Sequence, residues 1–327
     1  MAIAAMLTLA LIYPVNAQDK LVMKLGHVLT LESPYHATAV AFAQALKQKT
    51  GGRIEVQIFA QAQLGGEIQM TQALRTGTQD LMIGSSAAVE NTIKQWQIFD
   101  IPFLFKGLDD ANSVMQGRVG RKFLDMMPAV NIVGLAWLSV IERDLFTTRK
   151  TVGSIDDLKN LKVRVMQSPG YIAGYKALGA NPTPMAYSQL FLALSQGLVD
   201  GADTSPEQMI QDKFSDIAKH FYLTRVNYLP TLIAISKGSW SKLSPEQQKA
   251  VQEAASEAAR LHLKEYPRQY AQGLAQLKTK GIEVKELDTK PWIAATERLR
   301  GELIAGVPDG SALYSEIVAA QKEGAPR

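Results

Sequence analysis

The segment from Leu161 to Pro206 constrains the fold of this chain more than any other. Apolar and polar residues alternate over 161–166, a pattern that predicts a β-strand. In such a strand Val163 points to one face of the sheet and Arg164 to the other. A charged side chain in such a short strand is either paired within the protein or positioned for a ligand.

The rest of the segment predicts a strand–helix–helix–strand unit. Ser168-Pro169 is a helix start, with serine as N-cap and proline in the first helical position. A turn is expected at 182–184, a second helix at 188–196 and a second strand at 198–202. Strands connected in this way lie side by side, so their carboxyl ends meet at one edge of a sheet.

That edge is a candidate binding site. Arg164, Gln167 and Asp203 come together there, and in open α/β sheets ligands bind at the carboxyl ends of the strands. A guanidinium presents a planar fork of donors that matches a carboxylate. The alternative is that Arg164 pairs with a neighbouring acidic residue and is purely structural.

The first part of the chain repeats this plan. Residues 21–36 resemble 161–171 as strand, loop, Ser-Pro and helix, while 73–80 and 193–200 both read Ala-Leu-x-x-Gly-x-x-Asp before a strand. Two matches in the same order indicate two lobes built on one α/β plan. A ligand would then bind between the lobes, where pockets form preferentially.

Two apolar runs are long enough to pass between the lobes. Residues 131–141 predict one long strand, and 221–236 predict a second crossing interrupted at Pro230. Several crossings make a hinge rather than a flexible linker. A capping box at Ser244 begins a long helix to about 281, with a kink expected at Pro267, which could span both lobes.

The remaining patterns complete the predicted organisation. A helix is expected over 110–127 and one or two short helices over 291–319. We assign residues 18–140 and about 230–268 to lobe I, and residues 141–229 and about 269–327 to lobe II.

Composition excludes several classes of protein. The 327 residues include no cysteine, which rules out disulfides, thiolate metal sites and a cysteine nucleophile. A formal charge of +4 is too small and dispersed for a nucleic-acid binder. Residues 1–17 form an apolar run ending in a small-residue site, as in a secretory signal peptide. We therefore expect an exported, periplasmic protein that is not membrane-embedded after cleavage.

The sequence lacks the familiar catalytic patterns. It contains no H-E-x-x-H, G-x-S-x-G, P-loop or G-x-G-x-x-G motif, and its four histidines do not have metal-ligand spacing. His27 follows a predicted strand at the cleft edge and is either a ligand contact or a structural hydrogen-bonding residue. We predict no cofactor, no metal site and no enzymatic activity; the chain is better explained as a binding protein.

Several motifs together resemble those of the solute-binding proteins of tripartite ATP-independent periplasmic (TRAP) transporters, the DctP-like family. The resemblance covers nearly the whole mature chain. The matching motifs are Gly26-His27 with Ser33-Pro34-Tyr35-His36, Thr50-Gly-Gly-Arg-Ile-Glu-Val56, Gln63-Leu-Gly65, Asp100-Ile-Pro-Phe-Leu-Phe105, Leu161-Lys-Val-Arg164-Val, Ala177-Leu-Gly-Ala-Asn-Pro-Thr-Pro-Met185 and Val199-Asp-Gly-Ala-Asp203.

The resemblance implies a periplasmic-binding-protein-like α/β fold whose two lobes close on a ligand. It assigns the carboxylate-gripping arginine to Arg164, a second arginine to Arg143, an aromatic wall to Tyr187 and a polar contact to Thr204. It also implies delivery of the ligand to TRAP membrane permease subunits. The chain departs from the family pattern at Met166, usually proline, at Thr204, usually asparagine, and at Glu142, usually small or aromatic.

The charges near these positions suggest a ligand class. We expect Glu142 to neutralise Arg143 in part, while Glu67 and Asp203 accept hydrogen bonds from ligand hydroxyls and repel a second carboxylate. Glu67 could instead serve only the helix dipole, and Tyr187 could belong to the core. The favoured ligand is a hydroxyl-rich monocarboxylate, such as a uronate, an aldonate or a short hydroxy acid.

Three alternatives stay open. The ligand could be a C4-dicarboxylate, held by both arginines. The protein could be an exported enzyme that uses Glu67 or Asp203 as a base. It could also be a sensor subunit that presents its ligand to a membrane kinase.

Overall fold

The computed structural model describes residues 20–323, so the predicted signal peptide at 1–17 lies outside the described residues. The strands are β1 Leu21–Gly26, β2 Ile54–Phe59, β3 Leu81–Ser85, β4 Ile132–Trp137, β5 Ile141–Thr147, β6 Lys162–Val165, β7 Asn181–Pro184, β8 Gly201–Thr204, β9 His220–Leu229, β10 Thr231–Ser236 and β11 Glu283–Glu286.

The α-helices are α1 Pro34–Lys49, α2 Glu67–Thr76, α3 Ser86–Val89, α4 Leu108–Gln116, α5 Arg118–Leu124, α6 Pro169–Ala177, α7 Leu190–Ser195, α8 Pro206–Gln211, α9 Lys237–Ser241, α10 Pro245–Thr279, α11 Lys290–Gly306 and α12 Gly310–Glu323. Short 3₁₀ helices occupy Lys94–Asp100, Met127–Val130, Ile155–Leu158, Tyr187–Gln189 and Phe214–Asp216. None of the helices in the described chain is long and apolar enough to cross a membrane.

Two mixed sheets form the centres of two lobes, as predicted. Lobe I is built on a five-stranded sheet in the order β2-β1-β3-β10-β4, and lobe II on a six-stranded sheet in the order β11-β9-β5-β8-β6-β7. Strands β1, β2 and β3 are parallel in lobe I, as are β6, β7 and β8 in lobe II. The strand that enters each lobe from the other, β10 or β5, pairs antiparallel to β3 or β8. The α/β class and the two-lobe architecture are confirmed.

The predicted unit at 161–206 forms with one difference. Strands β6 and β8 lie side by side and parallel, with Arg164 opposite Ala202. The expected turn at 182–184 is instead strand β7, in which Pro182 and Pro184 pair with β6. Proline cannot donate to a ladder, but β7 is the edge strand of its sheet and needs donors on one side only.

The crossings between the lobes are short. The single strand predicted over 131–141 is two strands, because β4 ends at Trp137 in the lobe I sheet and β5 begins at Ile141 in the lobe II sheet. Strands β9 and β10 return in the same way, separated by Pro230. Each crossing is therefore a few residues long, which suits a hinge.

Helix α10 connects the lobes along one side. Its N-cap Ser244 accepts from the backbone N–H of Gln247 in the predicted capping box, and the helix continues past Pro267. It packs on α1 and β4 of lobe I and on α8 and β11 of lobe II. Buried alanines, including Ala254 and Ala258, allow this close approach.

Two other helical predictions differ in detail. The helix predicted over 110–127 is divided into α4 and α5 at Gly117, which caps both. The tail forms α11 and α12, and α12 packs on α4 and α5 of lobe I, where Lys122 pairs with Glu316 at 2.7 Å. Helix α11 packs on α6 of lobe II, in keeping with the assignment of the tail to that lobe, whereas α12, with its buried Ile317, lies on lobe I.

Candidate functional site

A cleft between the lobes contains the candidate site. It encloses about 620 Å³ of space, part of which is open to solvent. Side chains from β6, α8 and the Met185–Tyr187 segment line it on the lobe II side, and Tyr35, Glu67 and Ile68 line it on the lobe I side. This volume suits a small organic molecule enclosed by two closing walls.

Arg164 lies in this cleft and is almost fully buried, with 2% of its surface exposed. Its Nε and Nη2 donate to the carbonyl oxygen of Met185 at 3.1 and 2.8 Å, and its Cζ lies 5.6 Å from the ring centroid of Tyr187. Burial, together with the nearby Arg143, lowers the pKa of Arg164 to about 10, so it stays protonated at neutral pH. Among the described residues no carboxylate pairs with it, and its Nη1 has no partner.

Arg143 is held differently. Its Nη2 donates at 2.5 Å both to the carboxylate and to the carbonyl oxygen of Asp203. Burial alone would lower the pKa of Arg143, but the Asp203 carboxylate, together with Tyr171 and Tyr187, acts in the opposite direction, and the net effect raises it. The Nε of Arg143 has no partner within residues 20–323. Arg143 thus supplies a donor to the cleft while most of its charge is balanced by Asp203.

The expectation that Glu142 neutralises Arg143 is wrong. Successive residues of β5 point to opposite faces, so Glu142 lies on the side away from the cleft lining. There its carboxylate accepts from Arg225 at 3.2 Å and from the Tyr270 hydroxyl at 2.6 Å. Asp144, on the same face, also accepts from Tyr270. Glu142 belongs to a structural cluster between β5, β9 and α10.

Glu67 reaches the cleft from lobe I at the start of α2. Its carboxylate accepts a 2.5 Å hydrogen bond from Ser85, the last residue of β3. Burial raises the pKa of Glu67, while Ser85 and the two arginines across the cleft act in the opposite direction. Glu67 is thus an acceptor that faces the guanidinium groups from the other lobe.

Tyr187 and Gln167 also line the cleft. The Tyr187 hydroxyl donates to Asp212 behind it, which fixes the ring against Arg164. Next to Gln167, the side chain of Asn91 donates to the Gln167 carbonyl oxygen at 3.4 Å, a contact between the lobes at the cleft rim.

The other predicted residues do not line the cleft. Asp203 and Thr204 are fully buried behind it, the former on Arg143 and the latter on Gln208. His27 is buried 3.2 Å from His36, and burial together with that neighbour lowers the pKa of His27 to about 4. Its position therefore fits the structural alternative.

Sequence reasoning missed Gln208 and the carbonyl of Met185. Gln208 lines the cleft from the first turn of α8. A signal was present, because Ser205-Pro206 repeats the Ser-Pro helix start used to find α1 and α6. Across residues 20–323, no three His, Asp or Glu side chains come together as possible metal ligands.

Comparison with known proteins identifies the family. Residues 25–305 match the DctP family, described as bacterial extracellular solute-binding protein, family 7. The chain belongs to the DctP family. A curated relative, a solute-binding protein of Verminephrobacter eiseniae, is 34% identical over 271 residues, which are 82% of this chain and 81% of the relative.

Solved structures agree with this assignment. The sugar acid binding protein DctPAm of Advenella mimigardefordensis, in complex with galactonate, superposes with a TM-score of 0.91 at 26% identity and covers 94% of this chain and 99% of its own. A TRAP periplasmic solute-binding protein of Polaromonas, bound to D-erythronate, has a TM-score of 0.88 at 32% identity and covers 92% and 98%.

Proposed function

We propose that this protein is a periplasmic receptor that binds a hydroxyl-rich monocarboxylate between its lobes and delivers it to a TRAP membrane permease. The observation that carries this proposal is the state of Arg164. It is a buried, protonated guanidinium that faces the cleft, and its Nη1 has no partner in the described chain. A ligand carboxylate would neutralise the charge of this guanidinium and accept a hydrogen bond from its Nη1.

The charge in the cleft suits one carboxylate rather than two. Arg143 is largely balanced by Asp203, so among the described residues that line the cleft Arg164 is the cation left for a ligand. A second carboxylate on the ligand would approach Glu67, whose pKa burial already raises. It would meet either a like charge or the cost of protonating that acid. Ligand hydroxyls can donate to Glu67 instead, and the C4-dicarboxylate alternative is therefore less favoured.

The relatives support the same class of ligand. Galactonate and D-erythronate, bound by two structural neighbours, are monocarboxylates with several hydroxyls. The family and these neighbours are binding proteins rather than enzymes. In this chain, the two acids considered as a catalytic base are already held, Glu67 by Ser85 and Asp203 by Arg143.

A thermal-shift screen of purified protein tests the proposal. A ligand that binds only the folded state at about 100 times its Kd adds about 2.7 kcal/mol of stability, which corresponds to a Tm increase of roughly 5 °C. We expect such an increase from one or more aldonates, uronates or short hydroxy acids, and none from the corresponding neutral sugars. No increase with any organic acid would contradict the proposal.

A further inference from the structure

Gln208 lines the cleft but lies outside the sequence motifs that resemble the DctP-like family. It lies in the first turn of α8, directly after strand β8 and the Ser205-Pro206 helix start. Its side chain lines the cleft on the lobe II side and is 3% exposed. A buried amide normally has hydrogen bonds at both its oxygen and its nitrogen.

Only one end of this amide is occupied. The hydroxyl of Thr204, which is fully buried at the end of β8, donates to Oε1 of Gln208 at 2.8 Å. Nε2 of Gln208 makes no hydrogen bond with residues 20–323. The Thr204 hydroxyl therefore holds the amide with its oxygen inward, and the N–H₂ group is left for whatever occupies the cleft.

The donors on this wall can be counted. Arg164 Nη1 and Arg143 Nε are two buried N–H donors without a partner among the described residues. Two such donors match the two oxygens of one carboxylate. The amide of Gln208 is then a third and uncharged donor, available to an oxygen on the carbon next to the carboxylate.

We propose that Gln208 is a specificity-determining residue that donates to the 2-oxygen of a 2-hydroxy or 2-keto acid, and that Thr204 positions it. This inference rests on the proposed function, because it takes the ligand carboxylate to lie on Arg164. The two walls of the cleft then bind opposite ends of the ligand. Lobe II donates to the acid end of the ligand, while Glu67 of lobe I accepts from hydroxyls further along.

Calorimetric titration with matched acids tests this assignment. The probes are D-erythronate with its 2-deoxy analogue 3,4-dihydroxybutanoate, and D-galactonate with 2-deoxy-D-galactonate. Each pair differs only in the 2-hydroxyl. The proteins are the full mature chain, Gln208→Met, which keeps the side-chain length without hydrogen bonding, Thr204→Val, which keeps the shape without the hydroxyl, and the double variant.

Loss of one hydrogen bond to the ligand corresponds to about a 10-fold loss of affinity. We expect Gln208→Met to weaken the 2-hydroxy acids about 10-fold and the 2-deoxy acids less than about 3-fold. Thr204→Val should lose less than Gln208→Met, and should cost nothing further in the Gln208→Met background, since its effect passes through the amide. Circular dichroism confirms that the variants are folded.

Other outcomes overturn the inference in distinguishable ways. Equal losses on both members of a pair would mean that Gln208 acts on the carboxylate or on the fold rather than on the 2-oxygen. Unchanged affinity in Gln208→Met would remove it from the site while leaving the proposed function intact. If the unmodified chain bound none of the four acids and no other organic acid, the proposed function and this inference would fall together.

Discussion

The two lobes share one backbone plan but give the cleft opposite chemistry. In both lobes the aspartate that ends the Ala-Leu-x-x-Gly-x-x-Asp repeat accepts a hydrogen bond from a backbone N–H of a neighbouring strand. Asp80 accepts from Lys24 of β1 at 2.8 Å, and Asp200 accepts from Lys162 of β6 at 2.9 Å. These bonds make Lys24 and Lys162 equivalent positions. The internal repeat seen in the sequence is therefore also a structural repeat.

Two residues further along each strand the lobes diverge. Lobe II has Arg164, and lobe I has Gly26. A Cβ on Gly26 would lie 2.6 Å from the sulfur of Met70 and 2.8 Å from the amide nitrogen of Gln79. Lobe I therefore has no space for a side chain there, and the ligand-facing guanidinium belongs to lobe II alone.

The helix that follows shows the same contrast. Glu67 and Tyr187 stand thirteen residues before Asp80 and Asp200, and both line the cleft. Lobe I thus offers a carboxylate where lobe II offers an aromatic ring packed on Arg164. A duplicated frame has become a site with an anion-binding wall and an acceptor wall.

The largest predicted effect concerns the position where the lobes differ most. Arg164→Met keeps the apolar stem but leaves a ligand carboxylate buried without its cation, which should cost about 3–5 kcal/mol, or roughly two to three and a half decades of affinity. Arg164→Lys should recover only part of this, because it lacks the planar fork. Titration calorimetry provides the measurement. The matched control is Lys162→Met, an exposed cation on the same strand; binding retained in Arg164→Met would make Arg164 structural.

A second prediction concerns the acids held by two equivalent serines, one at the cleft and one in the protein interior. Ser85 donates to Glu67 at the cleft, whereas Ser205 donates to Glu207, which is buried beneath α10 near Gly273. Burial raises the pKa of Glu207 to about 7, so between its ordinary value and pH 7 the folded state keeps a proton that the unfolded chain releases. This stabilisation is complete at low pH and is lost as the pH rises through about 7.

Denaturant unfolding of the native chain and Glu207→Gln at several pH values measures that effect. The free energy of unfolding of the native chain should fall relative to the variant by up to about 3 kcal/mol between pH 4 and pH 8. Other acids titrate alike in both proteins and cancel in the difference. A difference that does not change with pH would show that Glu207 titrates normally.

The smallest effect concerns the acceptor wall. Glu67→Gln still accepts from Ser85 but removes the charge that ligand hydroxyls would address, so affinity for a hydroxylated monocarboxylate should fall about 10-fold. Affinity for the corresponding dicarboxylate should rise, because the like charge is gone. Competition between the two acids reports this change of selectivity. Parallel loss for both acids would assign Glu67 to the fold.

Much of the fold was predictable because periodicity, helix caps and the internal repeat are local signals. Strand β6, the existence of the crossings, helix α10 and the position of Arg164 near the carboxyl end of its strand follow from them. The partner of Arg143 could not be predicted. Alternation shows that residues 142 and 143 point to different faces of the sheet, but it does not show which residue contacts each of them in the folded chain. The prolines of β7 predict a turn, so this edge strand was not expected. The Thr204–Gln208 hydrogen bond was not expected either, because Gln208 is uncharged and lies in a helix that begins after the recognised motifs.

The most direct test of the account is calorimetric titration of one matched series: the aldonate that gives the largest thermal shift, its aldarate and its alditol. The three share the hydroxyls on their internal carbons and differ at the chain ends, which carry one, two or no carboxylates. If lobe II holds a single unbalanced cation and lobe I an acid, the aldonate binds, the aldarate binds at least about 100-fold more weakly and the alditol gives no measurable binding. An aldarate that binds as tightly as the aldonate, or an alditol that binds at all well, would contradict it.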